Sequence, residues 1–487
     1  MNAIKQFLKS GAMLLALSLA FTSCDELIGE LDNLAPSPVA PTPEPEPTAK
    51  TAGEISYAVT TVQKASHDQD LTLTNPLTLT GDGAVSYESS NPAVASVDAT
   101  GMVTLTGTAG TTTIKAKVAD TDAYTYATNE ASYTLKVLDG YSYLKWDGTA
   151  QKLVSDIETN YQEVSSATTT WDGSEVLVVK DADVEITSDI HLSGDTKIIL
   201  CDGAKLTTKT INGYVTTNYY SLTIYGQSAQ TGQLITQPSS GNGFYQIREL
   251  NIHGGDISAN GAMGIELKGG SQTLNVYGGK LIARGTSFKG IESCKALNIL
   301  GGMVEAYGVS GHYGIMSGTG IITVCNDGRL KAKGGDATTI GGGHGINGTL
   351  VAKDHAVVEV YGGHATSGDL EGGSAIIGGD VEIRDNASVT LIAGNSYGTK
   401  DGVNATPNNV EYHGGTLIAI GGAKGDSGTK HGKGIGHFLN NGSGGTIYYA
   451  TNTDGSLTTF PSISTMLSSA SPVNFDSSSY RGIKVYK

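Results

Sequence analysis

The chain has 487 residues, 67 of them glycine, with only 16% charged residues and a formal net charge of −16. So many glycines and so few charges exclude a coiled coil or a long-helix bundle and favour strands joined by tight turns, in a chain long enough for more than one domain. The acidic balance excludes a protein that grips nucleic acid by its phosphates.

Lys5 and Lys9 precede the apolar run Ala12 to Phe21, which ends at Thr22-Ser23-Cys24. Residues 1–23 have the charged, apolar and small-residue parts of an export signal, and the run is too short to span a bilayer. With Cys24 at the cleavage position and Asp25-Glu26 behind it, the segment resembles the lipoprotein signals of Bacteroidota. That resemblance implies lipidation of Cys24, a place on the outer membrane facing the cell exterior, and membrane contact through the lipid anchor alone. Residues 24–52 form an acidic and proline-rich linker. Six of the twelve prolines fall between Pro36 and Pro47, a composition that stays extended and builds a semi-rigid spacer.

From residue 53 to 138, alternating runs such as Met102-Val103-Thr104-Leu105, Thr113-Ile114-Lys115-Ala116 and Tyr133-Thr134-Leu135-Lys136-Val137 are separated by turn clusters. Short strands at that spacing predict a small β-sandwich. Ser89-Ser90-Asn91-Pro92-Ala93-Val94-Ala95-Ser96-Val97-Asp98-Ala99-Thr100-Gly101-Met102-Val103 resembles the signature of bacterial Ig-like domains of the second group, which implies a spacer or a binding module. Residues 139–175 carry both tryptophans, Trp146 and Trp171, and a predicted short helix around Leu153 to Tyr161. This segment is expected to connect the sandwich to the repeats after residue 175 and to cap their first edge.

The stretch Leu250-Asn251-Ile252-His253-Gly254-Gly255-Asp256-Ile257 returns as Leu274-Asn275-Val276-Tyr277-Gly278-Gly279-Lys280-Leu281 and as Leu297-Asn298-Ile299-Leu300-Gly301-Gly302-Met303-Val304. Each copy is strand, glycine turn, strand, a unit that buries its apolar face only against neighbours, so residues 176–450 are predicted to stack. The inward residue before each turn reads Leu200, Ile224, Ile252, Val276, Ile299, Val324, Ala352, Ile383 and Tyr412, nine rungs 23 to 31 residues apart. After the turn it reads Leu206, Leu234, Ile257, Leu281, Val304, Leu330, Val358, Val389 and Leu417. A third column at Ile265, Ile291, Ile315, Ile346 and Ile435 gives three strands per coil. Corners are built on Gly-Gly pairs or on Asp and Asn, residues that tolerate left-handed backbone.

Three strands per coil predict a parallel β-helix, and the leucine spacing of a leucine-rich horseshoe is missing. Residues 176–450 also resemble the pectate-lyase-like right-handed β-helix and the glycine-rich carbohydrate-binding-domain proteins of gut bacteria, through Ile198-Ile199-Leu200-Cys201-Asp202-Gly203-Ala204-Lys205-Leu206 and Leu222-Thr223-Ile224-Tyr225-Gly226. The expected fold class is all-β, an N-terminal Ig-like β-sandwich followed by a right-handed parallel β-helix solenoid, with residues 451–487 as a C-terminal cap. If the register is right, Ile299→Asp should unfold several coils and Asn298→Asp beside it should be nearly silent.

The outward residue before each turn reads Cys201, Tyr225, His253, Tyr277, Leu300, Cys325, Lys353, Arg384 and His413. Tyr225, His253 and Tyr277 form a stripe that can stack on a sugar ring, or else an aromatic ladder that shields a corner of the stack. Lys353 and Arg384 offer a dock for the carboxylates of an acidic glycan, unless Asp354 and Asp385 pair with them; His413 continues the column. Glu382 and Glu411 share one outward position on neighbouring rungs, so a proton, Arg384 or a bound Ca²⁺ must neutralise them. Gly343-His344-Gly345 matches one part of a β-helix hydrolase site, but no carboxylate pair can be placed beside it. Cys201 and Cys325 are expected at equivalent positions, too far apart to bridge, as packed thiols.

These readings converge on a surface-anchored non-catalytic protein that binds a carbohydrate or another extracellular polymer, acidic ones included, through the outer face of the β-helix. A polysaccharide lyase or glycoside hydrolase on the same scaffold is one alternative, and a structural stalk or protein adhesin is the other.

Overall fold

A computed structural model describes residues 48–440 except 69 and 293, together with the strands Gly445–Thr451, Ser464–Leu467, Asn474–Phe475 and Tyr480–Tyr486. The export signal, Cys24 and the spacer up to residue 47 lie outside the described residues. All regular structure among the described residues is β-strand.

Three small sheets build the Ig-like part. Glu130–Leu138 pairs antiparallel with Gly110–Val118 and parallel with Thr61–Ala65, and Gly110–Val118 pairs antiparallel with Val85–Ser89. Thr51–Tyr57 lies between Leu77–Thr80 and Tyr124–Tyr126. Alternation puts Ile114, Ala116, Tyr133, Leu135 and Val137 inside. The hairpin at Asp98 closes as the Asn91-to-Val103 stretch predicts: the Asp98 carboxylate accepts from the amides of Thr100 and Met102, and Gly101 takes φ +87°.

The repeats form a parallel β-helix with three faces. Face A holds the strands before the glycine turns, face B the strands after them, and face C the short third strands. On face B, Val184, Leu206, Leu234, Ile257, Leu281, Val304, Leu330, Val358, Val389 and Leu417 are paired coil to coil in unbroken parallel register, ten coils among the described residues. Nine of these residues were predicted; Val184 adds one coil. Where face A turns into face B, left-handed positions include Gly255, Gly279, Gly302 and Gly415 in the short turns and Asn326, Asp354 and Asp385 in the longer ones.

Face A corrects the register at its start. Ile198, not Leu200, pairs with Ile224, so Cys201 is not equivalent to Cys325. From Ile224 to Tyr412 the predicted column holds, and each member is fully buried. Leu200 is buried all the same, because a slip of two residues keeps a side chain on its face. The three thiols at Cys201, Cys294 and Cys325 are free and buried.

Face C contains more than the Gly-Ile pairs revealed. Ile376 and Thr406 carry the column between Ile346 and Ile435, preceded by buried Ala375 and Ala405 instead of glycine. From Ile315 onward faces C and A share one continuous strand, as in Ile315–Val324 and Ile376–Ile383.

Between faces B and C the later coils stack their loops through glycine backbone. Gly363 donates to the Gly343 carbonyl at 2.7 Å, Gly373 to Gly363 at 2.8 Å and Gly394 to Gly373 at 2.7 Å. Side chains pin the same loops: Asp336 accepts from the His364 amide at 2.8 Å, His364 Nδ1 from the Asn395 amide at 2.9 Å, and Asn395 from the Ala423 amide at 2.9 Å. At the far end Tyr480–Tyr486 runs antiparallel to Thr416–Ile420, the last parallel strand of face B.

The segment 139–175 differs most from expectation. Lys152–Glu158 is a strand, not a helix, paired antiparallel with Tyr141–Asp147. Leu153, Val154 and Ile157 fit either period, and tertiary packing decides between them. Tyr161–Glu163 and Thr170–Trp171 are parallel strands of the stack itself, with Trp171 only 1% exposed. The hairpin runs along face A.

Candidate functional site

Tyr225, His253 and Tyr277 stand in one column on consecutive coils. Their ring centroids are 4.9 Å and 4.6 Å apart, the second pair stacked. The column is nevertheless not an open platform for a sugar, because the hairpin covers it. The Tyr143 ring lies 4.6 Å from Tyr225 and the Trp146 ring stacks on Tyr277 at 5.4 Å. Trp146 donates its backbone N–H to His253 Nδ1 at 2.9 Å, and Gln227 Nε2 donates to the Ser142 carbonyl at 3.0 Å.

The fit follows from spacing. Three residues of strand advance about 10 Å, and two coils of a parallel stack advance about 9.6 Å, so Tyr143 and Trp146 meet Tyr225 and Tyr277 in step. The stripe is a docking surface for the chain's own aromatic rings, and the contact leaves both sets half-buried. His253 sits so deep in this contact that burial pushes its imidazole down to about 4.

Past Tyr277 the hairpin ends, and a cleft of about 390 Å³ opens on face A. Trp146 and Gln151 line it from the hairpin, and Tyr277, Asn298, Leu300, Thr323, Asn326 and Lys353 line it from the coils. Its polar floor continues an amide ladder: Asn275 Nδ2 donates to Asn251 Oδ1 at 2.8 Å and Asn298 Nδ2 to Asn275 Oδ1 at 2.9 Å. Asn298→Asp is therefore not silent, since it replaces that donor by an acceptor. The asparagines recur at one position in all three opening copies of the repeat, a signal open to sequence reading. Trp146 and Gln151 gave none, because they come from a segment more than a hundred residues away.

Lys353 lies at the cleft's rim. The expected pairing with aspartates is replaced by turn capping: Asp354 accepts from the Asn326 amide and Asp385 from the Asp354 amide, each at 3.1 Å. Among the described residues no carboxylate lies within ion-pair distance of the Lys353 ammonium. Arg384 and His413 follow on the next two coils, away from the cleft.

Glu382 and Glu411 are directly opposed in the register. Arg384 forms an ion pair with Glu382, and His413 Nε2 lies 3.5 Å from Glu382 and 3.8 Å from Glu411. The two glutamates and His413 bring three ligand atoms within 4.8 Å of one another. The guanidinium already supplies the neutralising charge that the opposed carboxylates need.

His344 is half-buried, its Nδ1 accepting from the Ser374 amide at 2.9 Å, so it pins one coil to the next. A carboxylate pair exists elsewhere. Glu266 and Glu292 share an outward position on neighbouring coils of face C. Buried Asn242 donates to Glu266 at 2.8 Å and Lys289 pairs with Glu292 at 2.6 Å. Burial and the adjacent Glu292 charge hold the Glu266 carboxyl above the usual range.

The family model of the intimin immunoglobulin-like domain matches residues 77–120. Those residues, from Leu77–Thr80 through Gly110–Val118, are thus similar to an Ig-like domain. No curated protein and no solved structure matches the chain.

Proposed function

We propose that this chain is a surface-anchored, non-catalytic binding protein that holds a carbohydrate or another extracellular polymer on the outer face of its β-helix. The cleft at the hairpin tip carries the reading. It joins an aromatic wall, Trp146 on Tyr277, to a row of amides and hydroxyls and to the Lys353 ammonium, the mixture that packs a sugar ring and bonds its hydroxyls. Lys353, with Arg384 and His413 beyond it, extends toward an acidic polymer. The Bacteroidota-type signal with Cys24, and the placing of the Ig-like part in the second bacterial group as a spacer, belong to the same reading. They put the cleft outside the outer membrane, held by lipid.

A glycan array probed with the full-length chain in mild detergent tests it. Retention of a polysaccharide without new reducing ends or unsaturated products is the expected result, and Trp146→Ala together with Lys353→Ala should remove it. No retention on any glycan would overturn the reading and favour a stalk or protein adhesin. For the anchor, Cys24→Ala should release the chain from membranes; an unchanged membrane fraction would refute lipidation.

The hydrolase alternative gains one observation. Glu266, whose carboxyl is held above its ordinary value by burial and the adjacent Glu292 charge, and Glu292, paired with Lys289, set two carboxyl groups on neighbouring coils, the kind of pair that glycoside cleavage requires. Reducing ends that vanish in Glu266→Gln would establish it; none from any retained glycan would exclude it.

A further inference from the structure

We propose that the cleft at the hairpin tip selects glycans built from 2-acetamido sugars, an inference that rests on the reading of this cleft as a polymer site. The asparagine ladder runs one way. Each amide donates to the coil before it, so the last rung, Asn298, presents its Oδ1 toward the cleft as an acceptor. On the next coil the register places Thr323 at this position, and no side-chain amide continues the series.

Leu300 lies two residues further along the same strand face, about 6.6 Å away, and it interrupts the aromatic column with a small apolar floor. Trp146 and Lys353 line the same cleft, with Asp354 next to Lys353 as its one acidic lining residue. An amide oxygen, an apolar floor and a cation thus line one cleft.

An acetamido group answers all three. Its N–H donates to Asn298 Oδ1 and becomes the next rung of the ladder, its methyl covers Leu300, and its carbonyl accepts from Lys353 or the Thr323 hydroxyl. A plain hydroxyl at the same carbon can donate to Asn298 but leaves Leu300 against water. A free amine at that carbon brings neither the methyl for Leu300 nor the carbonyl for Lys353 or Thr323.

Three oligomers of one β-1,4 backbone decide the matter: tetramers of N-acetylglucosamine, glucosamine and glucose, titrated against the full-length chain by calorimetry. The acetylated tetramer should bind about tenfold more tightly than the glucose tetramer, the step one added neutral hydrogen bond with its apolar contact supplies. The glucosamine tetramer, lacking the methyl and the carbonyl, should also bind more weakly than the acetylated one. Leu300→Ser, which leaves the ladder intact, should erase most of the preference, and Asn298→Leu should weaken the acetylated and plain tetramers together. Equal affinity for the acetylated and plain tetramers would overturn the inference while a polymer site stands. Binding of no tetramer, with no glycan retained on an array, would overturn both.

Discussion

Gly394→Ala isolates the glycine backbone array. A Cβ on Gly394 would fall against the Gly363 carbonyl oxygen, well inside the 3.0 Å that real Cβ atoms keep. The obstacle is backbone on both sides, and no rotamer relieves it. Gly363 is itself bonded to Gly343, and Gly394 to Gly373, so separating the two loops breaks coil-to-coil bonds in a buried layer. Overpacking costs about 1–3 kcal/mol and a buried amide left unpaired about 1–3 kcal/mol. Reduced freedom of the unfolded chain returns about 0.4–1 kcal/mol. The expected loss is about 2–4 kcal/mol. Gly270→Ala is the control, since a Cβ there meets nothing within 4 Å; it should leave stability unchanged or raise it slightly. Urea unfolding of both variants, with hydrogen exchange at the Gly363 and Gly373 amides, measures the difference. Equal midpoints and unchanged exchange would refute the view that these loops are locked by contact.

Ile299→Asp should lower stability by at least about 1.5–3 kcal/mol of lost burial, and Asn298→Asp by about 0.5–1.5 kcal/mol of lost hydrogen bond, read by thermal melting; equal shifts would refute the face assignment. Hairpin docking should depend on pH through His253. Its folded value of about 4 lies below the ordinary 6.5, so the unfolded state binds the extra proton. The contribution is therefore complete above about 6.5, is lost as pH falls toward 4, and reaches about 3 kcal/mol. Trp146 fluorescence against pH follows this loss, and His253→Phe should flatten the profile. Arg384→Ala exposes Glu382 to Glu411 and should cost up to about 1 kcal/mol at low salt. Added Zn²⁺ or Ca²⁺ should then restore the variant's melting temperature, and no response to either ion would show that His413 suffices to balance the pair.

Periodicity made the solenoid legible, because alternating burial repeats in sequence as it does in space. The same property hid the slip at Ile198, since period two cannot tell Leu200 from Ile198. The Gly-Ile signal for face C stopped at Ala375 and Ala405, where a buried methyl fills the glycine's place. At the site, the vertical order of Tyr225, His253 and Tyr277 was readable, but what covers them was not. The covering hairpin is distant in the chain, and Leu153, Val154 and Ile157 carry no local preference strong enough to reveal a strand. The asparagine ladder lay in plain view as Leu-Asn-Ile, Leu-Asn-Val and Leu-Asn-Ile, and its meaning came only from the donor direction between coils.

The reversed strand Tyr480–Tyr486 also governs how such a protein can change length. An open parallel edge is an invitation to another copy of the same coil, whether from a second molecule or from a duplicated gene segment. With this strand reversed, and Gly445–Thr451 paired antiparallel on its other side, the end of face B offers no parallel strand to a copy of the same coil, so head-to-tail pairing is blocked on this face. New coils can enter only by duplication inside the array. A longer descendant would keep its closing strand and would grow from the middle.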